Sequence, residues 1–310
     1  MKEPILSVKN LGVSFSQYTK GLRKRDLKVI TDLDVDLYEG EILAVVGSSG
    51  SGKSLLAHAI LGILPNNSTT KGTIIYKDKE LNKNRKEKLR GKEIVLIPQS
   101  VNYLDPLMKV SNQVKLSLSD RKEADKRQRS IFNKYNLDEK VDKLYPFQLS
   151  GGMARKVLLS TALVNDTKVI IADEPTPGLD ENSLNEVLNH FREIADSGCA
   201  VLMITHDIQA AIKVSDKIAV FYAGTTLEVA NVEDFKNGGI NLRHPYSKAL
   251  FKALPQNEFE PIKGSQPLPT DLPKGCLFYD RCNLKSEDCE NIRPDIKNIR
   301  NGMVRCLHAT

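Results

Sequence analysis

Gly47-Ser48-Ser49-Gly50-Ser51-Gly52-Lys53-Ser54 has the residue types and the spacing that bind a phosphate chain. Its glycines let the backbone curl so that successive N–H groups face one anion, and a helix opening behind them adds partial positive charge. Lys53 is placed to reach the β- and γ-phosphates of a nucleotide, and the Ser54 hydroxyl to ligate Mg²⁺. A chance glycine-rich turn would not carry every fixed position between an apolar strand and a helix. The second group is Val169-Ile170-Ile171-Ala172-Asp173-Glu174, an apolar strand ending in two acids. It sets Asp173 beside the metal shell and Glu174 near the γ-phosphate, where it polarises or deprotonates the attacking water. Two acids after a strand also serve as a plain helix cap, so the phosphate loop is what gives them a catalytic reading.

The elements that must position these groups are legible in outline. Ile42–Val46 is a continuous apolar run, the pattern of a strand buried on both faces. A helix is expected through Leu55–Leu64, stopped by Pro65-Asn66-Asn67. Before it, Ile5–Val8, Gly12–Phe15 and Leu33–Leu37 read as strands around a polar loop holding Gly21 and the basic run Arg23-Lys24-Arg25. Gly72–Tyr76 and Ile94–Ile97 are further strands. Between about 100 and 150 the chain becomes polar, charged and helical. A helix from Gly152 to Val164, the acidic strand, a helix over Leu184–Ala195, a strand over Ala200–Ile204 and a helix near Ile208–Val214 follow. Strands alternating with helices of this size predict an α/β fold with a mainly parallel sheet. Residues 255–275 hold five prolines and two glycines, a linker composition, which places a boundary between residues 1–254 and 276–310.

Leu149-Ser150-Gly151-Gly152-Met153, set between the phosphate loop and the acidic strand, resembles the signature of ABC transporter ATPases. Ser150 and the amides of Gly151 and Gly152 open a helix whose N-terminus suits a second anion. The resemblance implies that this site serves ATP held by an opposing subunit. It also implies a P-loop ABC-type ATPase core with an N-terminal antiparallel β subdomain, an inserted helical subdomain and a small Cys-rich C-terminal extension. Further positions match the family one by one. Phe15 stands where an aromatic stacks on adenine, although a lone aromatic at a strand end reads equally well as core. Gln99 matches the glutamine that senses the γ-phosphate, Asp180 the aspartate loop of the dimer interface, and His206 the switch histidine. Arg243-His244-Pro245-Tyr246-Ser247 and the cysteine-bearing tail resemble the oligopeptide, dipeptide and nickel importer ATPases. Departures from the family pattern are Ala154-Arg155-Lys156 after Met153, Thr176-Pro177-Gly178 before Asp180, and Pro98 before Gln99.

The chain of 310 residues carries 45 basic and 39 acidic side chains, a net +6 that reads as a lysine-rich solvated surface. No apolar run is long enough to cross a bilayer, and the N-terminus shows no apolar signal region. The expected place is therefore the cytoplasmic side of the cell membrane, peripherally bound. The implied partners are a second ABC ATPase, giving a heterodimer, two integral membrane permease subunits and an extracytoplasmic substrate-binding protein. One cassette with no sustained heptads speaks against a nucleic-acid ATPase. A small-molecule kinase would lack residues 149–153 and His206, and a non-hydrolysing scaffold would be expected to lose Glu174 or His206. The cargo stays open between peptides and nickel or a metal chelate. Four of five cysteines, Cys276, Cys282, Cys289 and Cys306, lie in the last 35 residues. So short and polar a segment calls for a metal or disulfides. Four thiolates suit zinc or an iron–sulfur cluster. The gaps do not match paired zinc knuckles, and the family tail implies a [4Fe–4S] cluster on these four, with zinc or no metal as the alternatives and His308 as a weaker ligand.

Overall fold

The computed structural model describes residues 3–18, 23–48, 50–118 and 120–309, so Gly21 and Ser49 lie outside the described residues. The parallel centre is built from β3 (Ile42–Gly47), β6 (Ile94–Ile97), β7 (Val169–Asp173), β8 (Ala200–Thr205) and β9 (Lys217–Tyr222). An antiparallel wing follows from β1 (Leu6–Tyr18), β2 (Lys24–Leu37), β4 (Ser68–Tyr76) and β5 (Lys79–Glu80). With β10 (Thr225–Asn231) joining wing to centre, the order is β5-β4-β1-β2-β10-β9-β3-β8-β7-β6.

The apolar run of β3 explains why one strand can anchor the whole molecule. Ile42, Ala44 and Val46 point into a core shared with the helices of residues 110–214, while Leu43 and Val45 point into a second core under the antiparallel wing. Period-two alternation thus feeds both layers from six consecutive residues. The helix behind it, α1 (Lys53–Leu61), ends earlier than expected, because Gly62 takes the left-handed conformation (φ 68°) and its N–H caps the Ala59 carbonyl. Between β6 and β7 lie α2's successors α3 (Val110–Lys115), α4 (Arg121–Lys134) and α5 (Gly151–Leu163), α2 itself being Lys83–Leu89. Then come α6 (Glu181–Asp196) and α7 (Ile208–Val214).

Two expectations at the N-terminus change in detail. The first two strands are one, β1, broken by register shifts around Asn10, whose φ of 50° marks the bulge. Lys24 and Arg25 of the basic run are paired residues of β2 opposite Tyr18 and Gln17 rather than loop.

After β10 the chain forms α8 (Pro245–Lys252), α9 (Glu287–Asn291) and a hairpin of β11 (Lys297–Ile299) and β12 (Gly302–Val304). Strand β12 pairs with β10, and Cys276, Leu277, Phe278 and Cys289 enter the main core. The segment does not build a core of its own; it borrows the cassette's. Arg243 is the tie. Its fully buried guanidinium meets Glu228 Oε1 at 3.2 Å and Asp234 Oδ2 at 2.9 Å, and donates to the carbonyls of Ile299 and Arg300. A Cβ on Gly302 would fall 2.5 Å from that guanidinium, so the hairpin needs glycine there.

His244 caps α8, its Nδ1 accepting the Tyr246 N–H at 2.9 Å. Burial pushes its imidazole down to about 3, so it stays neutral in the folded protein while the unfolded chain takes a proton below 6.5. Its contribution is whole above pH 6.5 and falls as pH drops toward 3. Each pH unit in that window should remove about 1.4 kcal/mol. His244→Asn keeps a capping acceptor and should flatten that slope in denaturant titrations between neutral and mildly acid pH.

Candidate active site

Three strand ends converge because their registers match. Val46 of β3 pairs with Thr205 of β8, and Asp173 of β7 pairs with Ile204. The loops leaving these ends therefore meet at one carboxyl edge of the sheet, the usual ligand position in an open α/β fold. A cavity of about 610 Å³ opens there, lined by Val29, Gly50, Gly52, Lys53, Ser54, Leu55, Gln99, Glu174 and His206.

The phosphate loop is wound around its own lysine. The Lys53 ammonium, 6% exposed, donates to the carbonyls of Gly47 (2.9 Å) and Ser48 (3.1 Å). Burial lowers its pKa, against the opposing pull of Glu174 and Asp173. It is a desolvated cation whose hydrogen bonds among the described residues go to neutral carbonyl oxygens, which it can exchange for an anion. Close packing fixes the loop's start, since a Cβ on Gly47 would sit 2.5 Å from the Phe221 carbonyl. Ser51 Oγ is buried with no hydrogen-bond partner among the described residues. Ser54 Oγ donates to Asp173 Oδ1 at 3.1 Å, and burial raises the Asp173 carboxyl while that hydrogen bond opposes the rise. Hydroxyl and carboxylate side by side are the oxygen donors Mg²⁺ takes.

Across the cavity, Glu174 Oε2 lies 2.7 Å from His206 Nδ1 and 3.4 Å from the His206 N–H. The Glu174 backbone is in the left-handed region (φ 48°), held by its N–H to the Ile204 carbonyl at 2.8 Å. Such a conformation costs on the order of 1–3 kcal/mol in a residue with a Cβ, and is found where function maintains it.

The dipeptide transport ATP-binding protein DppD of Bacillus subtilis is 33% identical to this chain over 94% of it and 90% of that protein. This chain belongs to the ABC transporter ATP-binding family. The ABC transporter profile matches residues 30–177, and that of the oligopeptide/dipeptide transporter C-terminal region matches 227–289. The oligopeptide transport ATP-binding proteins OppD of Haemophilus influenzae (34%, 97% of this chain, 96% of that one) and Escherichia coli (34%, 94% and 89%) are similar throughout. A dimeric ATP-binding cassette in a post-hydrolysis state with ADP and phosphate superposes with a TM-score of 0.63 at 25% identity, covering 73% of this chain and 98% of its own. The ATP-binding subunit is an ATPase of the oligopeptide/dipeptide importer type, and its mixed α/β sheet is that of the cassette fold.

Of the residues expected at the site, Gly50, Gly52, Lys53, Ser54, Gln99, Glu174 and His206 line one cavity, with Asp173 bonded to its wall. Val29 and Leu55 are additions; apolar types carry no signal of such a place. Phe15 packs against the core of the antiparallel wing and does not line this cavity. Ser150 caps α5, accepting the Met153 N–H at 3.3 Å, while Gly151 and Gly152 are exposed. Leu149 and Met153 pack on the main core. Asp180 caps α6 and takes the Ser183 hydroxyl at 2.6 Å, which holds its carboxyl below the usual range. The unusual Arg155 donates to the Pro175 carbonyl, tying the signature helix to the turn after Glu174.

The tail cysteines are free thiols, and burial raises Cys276 to about 11. They feel one another electrostatically, yet among the described residues no three metal-capable side chains are gathered for one ion. The expected cluster or zinc on Cys276, Cys282, Cys289 and Cys306 is thus unsupported. The segment is held instead by β12, by Arg243, and by Arg305 on Asp34 at 2.6 Å. His308 bonds Ser286 at 2.9 Å.

Proposed function

We propose that this subunit energises uptake of oligopeptides or dipeptides from the cytoplasmic face of the cell membrane. One observation carries the chemistry: a desolvated lysine and a serine–aspartate pair face a glutamate–histidine pair across a single cavity. In this reading the loop amides, with Gly47–Ser54, hold the phosphates of ATP, and Ser54 and Asp173 hold Mg²⁺, which supplies charge neutralisation. Gln99 faces the γ-phosphate. Glu174 takes a proton from water as its oxygen bonds to the γ-phosphorus, and the bond to the bridging oxygen breaks to leave ADP. His206 holds the Glu174 carboxylate in place. For Phe15 to stack on adenine, the base must extend beyond this cavity to the antiparallel wing, where the ring packs.

Residues 149–153 and Asp180 serve the nucleotide of a second cassette, which the exposed Gly151 and Gly152 support. The mate is a related, different subunit. Residues 1–254 act as the nucleotide-binding unit, with the insert at about 100–150 docking a cytoplasmic helix of one of the two permease subunits, which are fed by a substrate-binding protein. Tyr103 (73% exposed), Leu107 (88%) and Phe147 (74%) give the insert the apolar surface such docking needs. No helix among the described residues is long and apolar enough to cross a membrane. Peptide is favoured over nickel because the relatives named above carry peptide names.

In proteoliposomes holding both cassettes and the permeases, peptide-loaded binding protein should raise ATP hydrolysis and drive peptide uptake. Stimulation by nickel chelates alone would overturn the cargo, and full activity of the isolated monomer would overturn the paired site. For residues 276–310, joined through 255–275, a [4Fe–4S] cluster rests on the four free thiols alone. Near-equal iron and sulfide in anaerobically purified protein would support the cluster, stoichiometric zinc would replace it by a zinc site, and the absence of both would remove the metal.

A further inference from the structure

The proline-rich stretch 255–275 bonds to the phosphate loop and to α7, the segments that follow β3 and His206. Gln266 Oε1 accepts the Ser48 hydroxyl at 2.6 Å, on the phosphate loop. Gln256 accepts the Gln209 amide, three residues beyond His206. Between these points the stretch is pinned by one side chain. The Arg281 guanidinium donates to the carbonyls of Lys263 (2.8 Å) and Ile262 (3.1 Å) and to the Tyr222 hydroxyl at 3.2 Å. Tyr222 follows Phe221, the residue against which Gly47 is packed. A spacer would hang free; this one is bonded at Gln256, at Ile262 and Lys263, and at Gln266, among other points.

From this we infer that residues 256–266 form a strap that positions the phosphate loop, with Gln266 as the positioning residue and Arg281 as its anchor. Ser48 is the loop residue whose carbonyl already holds Lys53, so fixing its side chain fixes the lysine's resting place as well. A loop ordered beforehand loses less freedom when it closes on phosphates, and the gain falls on binding rather than on proton transfer at Glu174. The strap touches neither reacting atoms nor Glu174. The inference rests on the cavity being the nucleotide site.

The test uses the full chain in its assembled transporter, with KM and kcat for ATP and binding of a fluorescent ATP analogue. Gln266→Met keeps the side chain's length and removes its acceptor. It should raise KM about fivefold, as expected for one neutral hydrogen bond, with kcat unchanged. Ser48→Ala combined with Gln266→Met should be no worse than Ser48→Ala alone. Arg281→Met, which leaves Ser48 and Gln266 intact, should raise KM in the same direction. An unchanged KM in Gln266→Met, additive effects of the Ser48 and Gln266 changes, or a fall in kcat at constant KM would each overturn the strap. Lys53→Ala separates the two readings: if it leaves ATP binding intact, the cavity assignment fails.

Discussion

Glu174→Gln in the assembled transporter should cut ATP turnover by about 10²–10⁴-fold, the range a positioned general base supplies, while leaving ATP binding intact. The amide keeps the shape of the side chain and its reach to His206, where Nδ1 now lies 2.7 Å away. What is lost is the basic oxygen that receives the water's proton. The separation of binding from turnover is the informative part. Lys53 and Ser54 stand on α1, and Asp173 keeps its own bond to Ser54, so they should still hold nucleotide. Single-turnover hydrolysis beside nucleotide binding checks both halves, and wild-type turnover in this variant would remove Glu174 from the chemistry.

Arg243→Met should destabilise the protein by about 3–5 kcal/mol, the cost of leaving a buried partner charge uncompensated. Arg243 and Glu228 both have fully buried side chains, and Glu228 also accepts the backbone N–H groups of Arg243 (2.8 Å) and His244 (2.9 Å). Removing the guanidinium strands Glu228 and frees the Ile299 and Arg300 carbonyls that it bonded. Adding Glu228→Gln to Arg243→Met should recover part of the loss, since the amide removes the stranded charge while its single carbonyl oxygen keeps one of the two backbone contacts. Denaturant midpoints of the wild type and the two variants decide this. Equal midpoints for Arg243→Met and wild type would show that the network is not what holds the tail.

The gathering of candidate residues at one cavity was the most legible part of the sequence, for a physical reason. Phosphate binding demands particular types at fixed neighbours, so residues 47–54 declare themselves locally. Asp173, Glu174 and His206 follow because each ends an apolar strand, and the strand registers bring those ends together. The expected end of α1 was late because Pro65 is a conspicuous breaker, whereas Gly62 stops the helix through its left-handed backbone. Strands β9 and β10 and the closing hairpin were not legible. Their partners are distant, and short runs such as Lys297–Ile299 have no periodicity to show. The proline-rich stretch was read as a spacer because a spacer and a strap share one composition. Bonds such as Gln266 to Ser48, Gln256 to Gln209 and Arg281 to the Ile262 and Lys263 carbonyls separate them. The Arg243 motif was recognised by likeness alone; its bonds to Glu228 and Asp234 supply the reason for it.

The ion pair between Arg305 and Asp34 joins residues 271 apart, and β2 meets β10 through the single register pair of Asp32 with Thr225. During synthesis the antiparallel wing emerges first, with its inner edge lacking the strand that will cover it. Contacts of this span are slow to close, because the loop entropy is lost before the contact repays it. For the time needed to translate the intervening two-thirds of the chain, that edge is open to another strand, the circumstance in which incomplete β structure aggregates. The charged residues Lys28, Asp32, Asp34 and Asp36 along β2 are what such an edge carries to discourage a stray partner.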